Sequence, residues 1–201
     1  MADYHIPLVP DHIYHVSNRA VGNEKIFIEE RNYIFFLKKA MLHVNPIANI
    51  FAYSLVPNHF HFLLEIHSLD VIEAYYSEIK KKTLEADFIC DFIMERFSNF
   101  LNSYTKAFNK TYHRTGAMFI DFLKREEIED KLQFLNAAVY IHQDPMKHGH
   151  CSSLKGWTWT SYNFDFFEKR ADLLKQFGGQ ERFNELHEKP IGNSLQLLEL
   201  A

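Results

Sequence analysis

The chain has 201 residues, 47% of them apolar, with 22 Lys and Arg against 26 Asp and Glu. That length suits one domain with a real core, and that apolar share excludes general disorder. The mildly acidic balance is not the footprint of a generic duplex-DNA binder, so a nucleic-acid reading has to rest on a local site.

Neither cysteine, Cys90 or Cys151, belongs to a CxxC pair, which argues against a zinc knuckle or a disulfide scaffold. No apolar run approaches the roughly 20 residues that a bilayer crossing needs. The opening MADYHIPLVPDHIYHV lacks the basic-then-apolar order of a secretory signal, so a cytoplasmic location is expected.

In chain order, HIYHVSN at 12–18 reads as a first strand, with Ile13 and Val16 apolar and Tyr14 β-prone. Ile34, Leu37, Met41 and Val44 recur at helical spacing, so 29–44 reads as an amphipathic helix stopped by Pro46. Residues 49–56 and 59–66 are β-rich runs broken by the turn-forming VPN, either two strands or one bent strand. The polar stretch Ser68 to Glu85 reads as helical, and 88–112 carries a helical stripe of Ile93, Phe97, Leu101, Tyr104 and Phe108. AMFIDFLKR at 117–125 reads as another strand, followed by a helix through EIEDKLQFLNAAVYIHQD with Leu132, Leu135 and Val139 inward. Pro145 is expected to end that helix, because it cannot extend one and disfavours a helical Asp144. WTWTSYNFDFF at 157–167 is expected as a short strand or packed loop. Residues 1–177 are expected as the catalytic domain and 178–201 as a peripheral tail. Strands and helices mix without the Gly-rich turns of a doubly wound fold, which makes α+β the expected class.

The stretch VPNHFHFLLEI puts His59 and His61 on one face of a strand, with Phe60, Phe62 and Leu64 on the other. The phenylalanine face wants the core. The histidine face then looks at a cleft or second layer, where the two rings either hold one divalent ion or each satisfy a nearby carbonyl. Two ligands are too few for a tight site, so a metal reading requires a third. In YIHQDPMKHG, Tyr140 and Asp144 lie one helical turn apart on one face. A phenol beside a carboxylate suits phosphoryl transfer, although such a pair at a helix end is usually structural.

Taken together, HIYHVSNRA, KIFIEERNYIFFL, NHFHFLLEI, SYTKAFNKTYHRTG, YIHQDP and GWTWTSY occur in an order that resembles the REP-associated tyrosine transposases. These are a branch of the single-tyrosine HUH transposases, and the match spans residues 12 to 166. The resemblance implies a ferredoxin-like antiparallel sheet with helices on one face and the histidines on the open face. It implies metal ligands at His59, His61 and Asp144, with Mg2+ or Mn2+ as cofactor, and a nucleophile at Tyr140. It further implies a single-stranded DNA endonuclease and strand transferase that works beside DNA hairpins through a 5′-phosphotyrosine. Both a monomer and a homodimer fit, and no membrane is involved.

Asp144 stands where Asn is common in that family, and Ile120 and Asp121 stand where many members carry Gln and a basic residue. These differences and the acidic balance motivate an alternative: a domesticated, non-catalytic binder of hairpin DNA or RNA. A metal-dependent hydrolase using bound water is a third reading.

Lys106, Lys110, His113 and Arg114 form a candidate phosphate-contacting edge, or equally a solvated helix end. Trp157 and Trp159 are read as closing a core rather than stacking bases, and Tyr104 as core. His142, about 200° around the helix from Tyr140, is only a distant candidate for proton transfer. His67, His148 and His150 are too scattered to assign.

Overall fold

In the computed structural model, residues 6–22 and 24–189 are described. The elements run β1 (Ile13–Arg19), α1 (Glu30–His43), β2 (Ala48–Val56), β3 (His59–Ile66), α2 (Leu69–Lys80), α3 (Ile89–Thr111), β4 (Lys124–Ile128), α4 (Lys131–Lys147), α5 (Arg170–Phe177) and α6 (Gln180–Glu188). The strands form one sheet in the order β2-β3-β1-β4, each neighbouring pair antiparallel. That order, with α1 connecting β1 to β2 and α3 connecting β3 to β4, is the ferredoxin-like split βαβ arrangement.

Strand alternation decides which face is buried against α1 and α3. Phe60, Phe62 and Leu64 share one side of β3, and their cross-strand partners Asn18, Val16 and Tyr14 on β1 and Leu55, Tyr53 and Ile50 on β2 project with them. Phe36 of α1 lies 5.0 Å from Phe60 and 4.6 Å from Phe100 of α3, ring centre to ring centre. Burying three such β3 side chains contributes about 6 kcal/mol. A one-residue slip would turn His59 and His61 into that core and forfeit the gain. The polar rings therefore face the other way.

The helical stripes follow the sequence expectation in part: Leu37, Val44, Leu135 and Val139 are buried as expected, whereas Ile34, Met41 and Leu132 are not. On α1 the buried apolar residues are Tyr33, Phe36, Leu37 and Ala40, while Met41 is exposed. On α4, Phe134, Leu135 and Ala138 are buried and Leu132 is 66% exposed. Tyr104 is core, and Trp159 stacks on Tyr33 at 4.6 Å, so these aromatics close the core as expected. WTWTSYNFDFF is a packed loop that lies along the β2 edge, through the bridge of Ser54 to Thr160 and through side-chain hydrogen bonds such as Trp157 Nε1 to Leu55 O and Tyr53 N to Ser161 Oγ.

Two boundaries need correction. The strand expected at 117–125 falls instead at Lys124–Ile128. Residues 118–120 only brush the end of β1, where Ile120 N donates to Arg19 O, before the chain bends through Asp121 and Phe122. KREEI is the outer strand, and an edge tolerates, indeed favours, charge over the apolar alternation that sequence reading seeks.

The second correction concerns Pro145, which does not stop α4; the helix continues to Lys147. Proline in a helix interior costs roughly 3 kcal/mol. Here, in the last turn, the lost donor is the one that would reach Ile141 O. His148 N still donates to Asp144 O at 3.1 Å, which closes the helix end.

The span expected as a tail begins with a packed helix. Phe183 and His187 of α6 are buried against α4 and α5. His187 Nδ1 pairs with Phe183 O, its Nε2 with His142 Nδ1, and His142 Nε2 with Ser161 Oγ, each at 2.7 Å. Residues 190–201 lie outside the described residues.

Candidate metal and nucleophile site

Strand register arranges the face opposite the phenylalanines in rows. Lys124, Ser17, His61 and Ser54 align from β4 to β2, and Arg19, His59 and Val56 form the next row. Helix α4 packs over β2 and β3 on this side. It presents Tyr140 and Asp144 at i and i+4, as their spacing requires.

Asp144 is the hub. It is fully buried, and its Oδ2 accepts from Ser54 Oγ at 3.0 Å. Its Oδ1 lies 3.3 Å from His59 Nε2, 3.6 Å from His61 Nε2 and 3.4 Å from His148 Nε2. One donor atom from each of His59, His61 and Asp144 falls within 4.8 Å of the others.

The far nitrogens of the two rings are held from behind. His59 Nδ1 pairs with Asn58 Oδ1 at 2.8 Å, and His61 Nδ1 with His15 Nε2 at 2.9 Å. That is how metal-binding imidazoles are commonly oriented, with the second nitrogen anchored and the first turned inward. The inward Nε2 of His61 is buried with no hydrogen-bond partner. Leaving such an atom unsatisfied costs about 1–3 kcal/mol, a cost that coordination would remove. These residues fit a divalent ion.

Ionisation states agree with that fit. Burial pushes His61 well below its ordinary value and His15 down to about 4, which keeps both rings neutral. Desolvation opposes the charge on Asp144, but the surrounding imidazoles outweigh it and hold the carboxyl well below the usual carboxylate range. Neutral imidazole and ionised carboxylate are the ligating forms. The hydrogen bond to Asp144 raises His148 against a smaller effect of burial.

Tyr140 stands beside this cluster. Its ring meets His61 edge-on at 5.7 Å and His15 at 6.0 Å, and Lys147 Nζ lies 4.4 Å from the ring centre. It is 4% exposed and does not line the cavity of about 120 Å³ that opens over His59 and His61. Arg19, Lys124, Asn58 and His148 line that cavity. Partial burial lowers the Lys124 ammonium, and the charge of Arg19 adds to it.

The structure thus brings Tyr140, His59, His61 and Asp144 together. It does not bring in the other candidates. Lys106, Lys110 and His113 are exposed at the C-terminal end of α3, a helix packed on the opposite face of the sheet. The Arg114 guanidinium is engaged with Glu24, Asn109 Oδ1 and the carbonyls of Gly116 and Ala117. His142 is tied into the α6 junction.

Sequence reasoning missed His15, Ser54, Arg19, Lys124 and His148. Alternation along β1 could have found His15 and Arg19, which share the face of the strand's other inward polar residue, Ser17. His148 reads in sequence as one of three scattered histidines, and it reaches the site because α4 continues through Pro145.

A ferredoxin-like sheet thus carries two inward imidazoles, and one crossing helix supplies a carboxylate and a phenol beside them. No protein-family model matches the chain, and no curated protein matches it. Among solved structures, the fold is that of a REP-associated tyrosine transposase bound to a REP hairpin. The two share 12% sequence identity and a TM-score of 0.59 over 81% of this chain and 83% of that one. Among the described residues, no helix is long and apolar enough to cross a membrane.

Proposed function

We propose that this protein is a metal-dependent single-stranded DNA endonuclease and strand transferase acting beside DNA hairpins, with Tyr140 as nucleophile. One observation carries the reading: the Tyr140 ring abuts His61, whose partnerless Nε2 faces Asp144 and His59. The fold shared with a hairpin-bound tyrosine transposase supports the choice of substrate.

His59, His61 and Asp144 would hold a divalent ion, Mg2+ or Mn2+ in the family resemblance. When bound, that ion polarises a phosphate oxygen and offsets charge in the transition state. Arg19 and Lys124 would seat neighbouring phosphates at the cavity rim. Tyr140 Oη attacks phosphorus and gives up its proton to water. The new Tyr–O–P bond forms as the P–O3′ bond breaks, and the departing 3′-oxygen takes a proton from water. The 5′-phosphate stays on Tyr140 until another 3′-hydroxyl attacks it and restores the phenol. Since Tyr140 is buried, the last turns of α4, short of one hydrogen bond at Pro145, must shift to uncover it. Lys106, Lys110 and His113 would meet flanking duplex rather than the scissile phosphate.

Incubation with a hairpin-containing oligonucleotide and Mn2+, followed by denaturing electrophoresis, should trap a protein–DNA adduct. Tyr140→Phe should abolish the adduct while hairpin binding is kept. An undiminished adduct in that variant would remove Tyr140 from its role.

The burial of Tyr140 and the exposed Asp121 favour one second reading, a non-catalytic hairpin DNA or RNA binder. Hairpin affinity without strand cleavage under any divalent ion would select it.

A further inference from the structure

Helix α4 carries a third inward group that the two-histidine, one-carboxylate set does not use. Because α4 runs through Pro145, residue 148 falls one turn beyond Asp144 on the face that bears Tyr140 and Asp144. The His148 ring lies 4.7 Å from the His59 ring, nearly edge-on, and its Nε2 is 3.4 Å from Asp144 Oδ1. We infer that His148 is a fourth metal ligand, giving the site three imidazoles and one carboxylate and a preference for first-row transition ions over Mg2+. This inference rests on the reading of His59, His61 and Asp144 as a metal site and adds to it the ligand count and the class of ion.

Geometry is the first argument. Donor atoms arranged tetrahedrally about 2.1 Å from an ion stand about 3.4 Å apart. The three Nε2 atoms stand 3.3, 3.6 and 3.4 Å from the same carboxylate oxygen. The His59, His61 and Asp144 donors also lie within 4.8 Å of one another, whereas His148 adjoins that set through Asp144, and its half-exposed side chain has to turn toward the pair to complete it. That oxygen has two lone pairs, so three imidazoles around it exceed what hydrogen bonding can satisfy. The His59 ring is anchored at Nδ1 by Asn58 and the His61 ring by His15, which leaves both Nε2 atoms facing the carboxylate. The His61 Nε2 has no partner at all. A cation among these atoms resolves the crowding.

Donor chemistry is the second argument. Mg2+ favours oxygen ligands in an octahedron and gives up water reluctantly. Imidazole suits Zn2+, Cu2+, Fe2+ and Ni2+, and affinity at such sites rises from Mn2+ through Co2+ and Ni2+ to Cu2+. Three nitrogens against one oxygen moves the site in that direction. His148 is also the most exposed of the three rings, with half its side chain open to solvent at the cavity rim. A phosphate can therefore displace or adjoin it without disturbing the anchored pair.

The test is metal binding by the full chain without DNA, with Co2+ and Mg2+ as probes, read by calorimetry and by the visible absorption of Co2+. Wild type should bind one Co2+ far more tightly than Mg2+. His148→Ala should weaken Co2+ at least about tenfold and alter the Co2+ band, with little change for Mg2+. His59→Ala should abolish tight Co2+ binding. Unchanged Co2+ affinity and spectrum in His148→Ala, with His59→Ala still losing the ion, would overturn the fourth ligand and leave the three-residue site standing. Failure of wild type to bind either ion would overturn both. His148 is exposed, so a thermal melt in chelator should show that its variant keeps the fold.

Discussion

Helix α4 carries histidines into two clusters that use the same chemical group in opposite ways. On one side, His142 joins Ser161 and His187 in a chain whose ring nitrogens all have partners, ending on the carbonyl of Phe183. On the other, His59, His61 and His148 crowd one oxygen of Asp144, and the His61 Nε2 is left without a partner. Both clusters are largely buried. What separates them is satisfaction: the first is complete as folded, whereas the second gains from an added cation. Counting histidines could not draw that distinction; counting their hydrogen bonds does.

The largest expected effect breaks the open cluster. A divalent ion at 100 times its dissociation constant stabilises the folded state by about 2.7 kcal/mol. In a domain of this size that corresponds to a rise of roughly 5–10 °C in melting temperature. Wild type should show such a rise with Co2+ or Mn2+ in a differential scanning experiment, and His59→Ala should show none. A full shift in His59→Ala would place the ion elsewhere.

The closed cluster should behave in reverse. His187→Ala removes a buried ring and strands His142 Nδ1, so urea unfolding should register a loss of about 2–4 kcal/mol. Its metal-induced shift should persist. Equal loss of the shift in both variants would erase the contrast between the clusters.

Acid sharpens the same contrast. Burial lowers His187 to about 4 and pushes His142 well below its ordinary value, with nearby Arg170 adding to both. Both rings are thus neutral in the folded state and bind protons more readily when unfolded. Their stabilisation is complete above about pH 6.5 and is lost as pH falls toward 4. From His187 alone, moving from pH 7 to 5 should cost about 2 kcal/mol. His187→Gln, which does not titrate, should flatten that slope; an unchanged slope would assign the acid sensitivity to other groups.

The smallest effect concerns the rim. Arg19→Ala or Lys124→Ala should weaken hairpin binding a few-fold and reduce the salt slope by about one. Lys106→Ala, on the far side of the sheet, should change it less.

Much of this arrangement was legible in the sequence where local periodicity and tertiary need agree. HFHFLL alternates so strongly that the core-facing phenylalanines and the histidines on the opposite face follow from one strand. Tyr140 and Asp144 follow from helical spacing. Legibility failed where a local rule was overridden. KREEI lacks apolar alternation because this edge strand is only partly covered, so an apolar pattern places the strand at 117–125 instead. Pro145 reads as a stop, although in a final turn packed on the sheet it costs only one bond, and only a helix that continues past it carries His148 onto the Asp144 face. Alternation along β1 turns His15 toward the site, but its pairing with His61, like that of Ser54 with Asp144, joins separate elements, and no spacing along the chain encodes which partners meet.

The central claim is that the Tyr140 phenol attacks phosphorus beside the His59, His61 and Asp144 cluster. Proteolysis of the adduct formed with a hairpin oligonucleotide and Mn2+, followed by mass spectrometry, tests it most directly. The account predicts a deoxynucleotide 5′-phosphate on the peptide containing Tyr140, absent when Mn2+ is chelated. A phosphate on any other residue, or cut DNA with no protein attached, would contradict it.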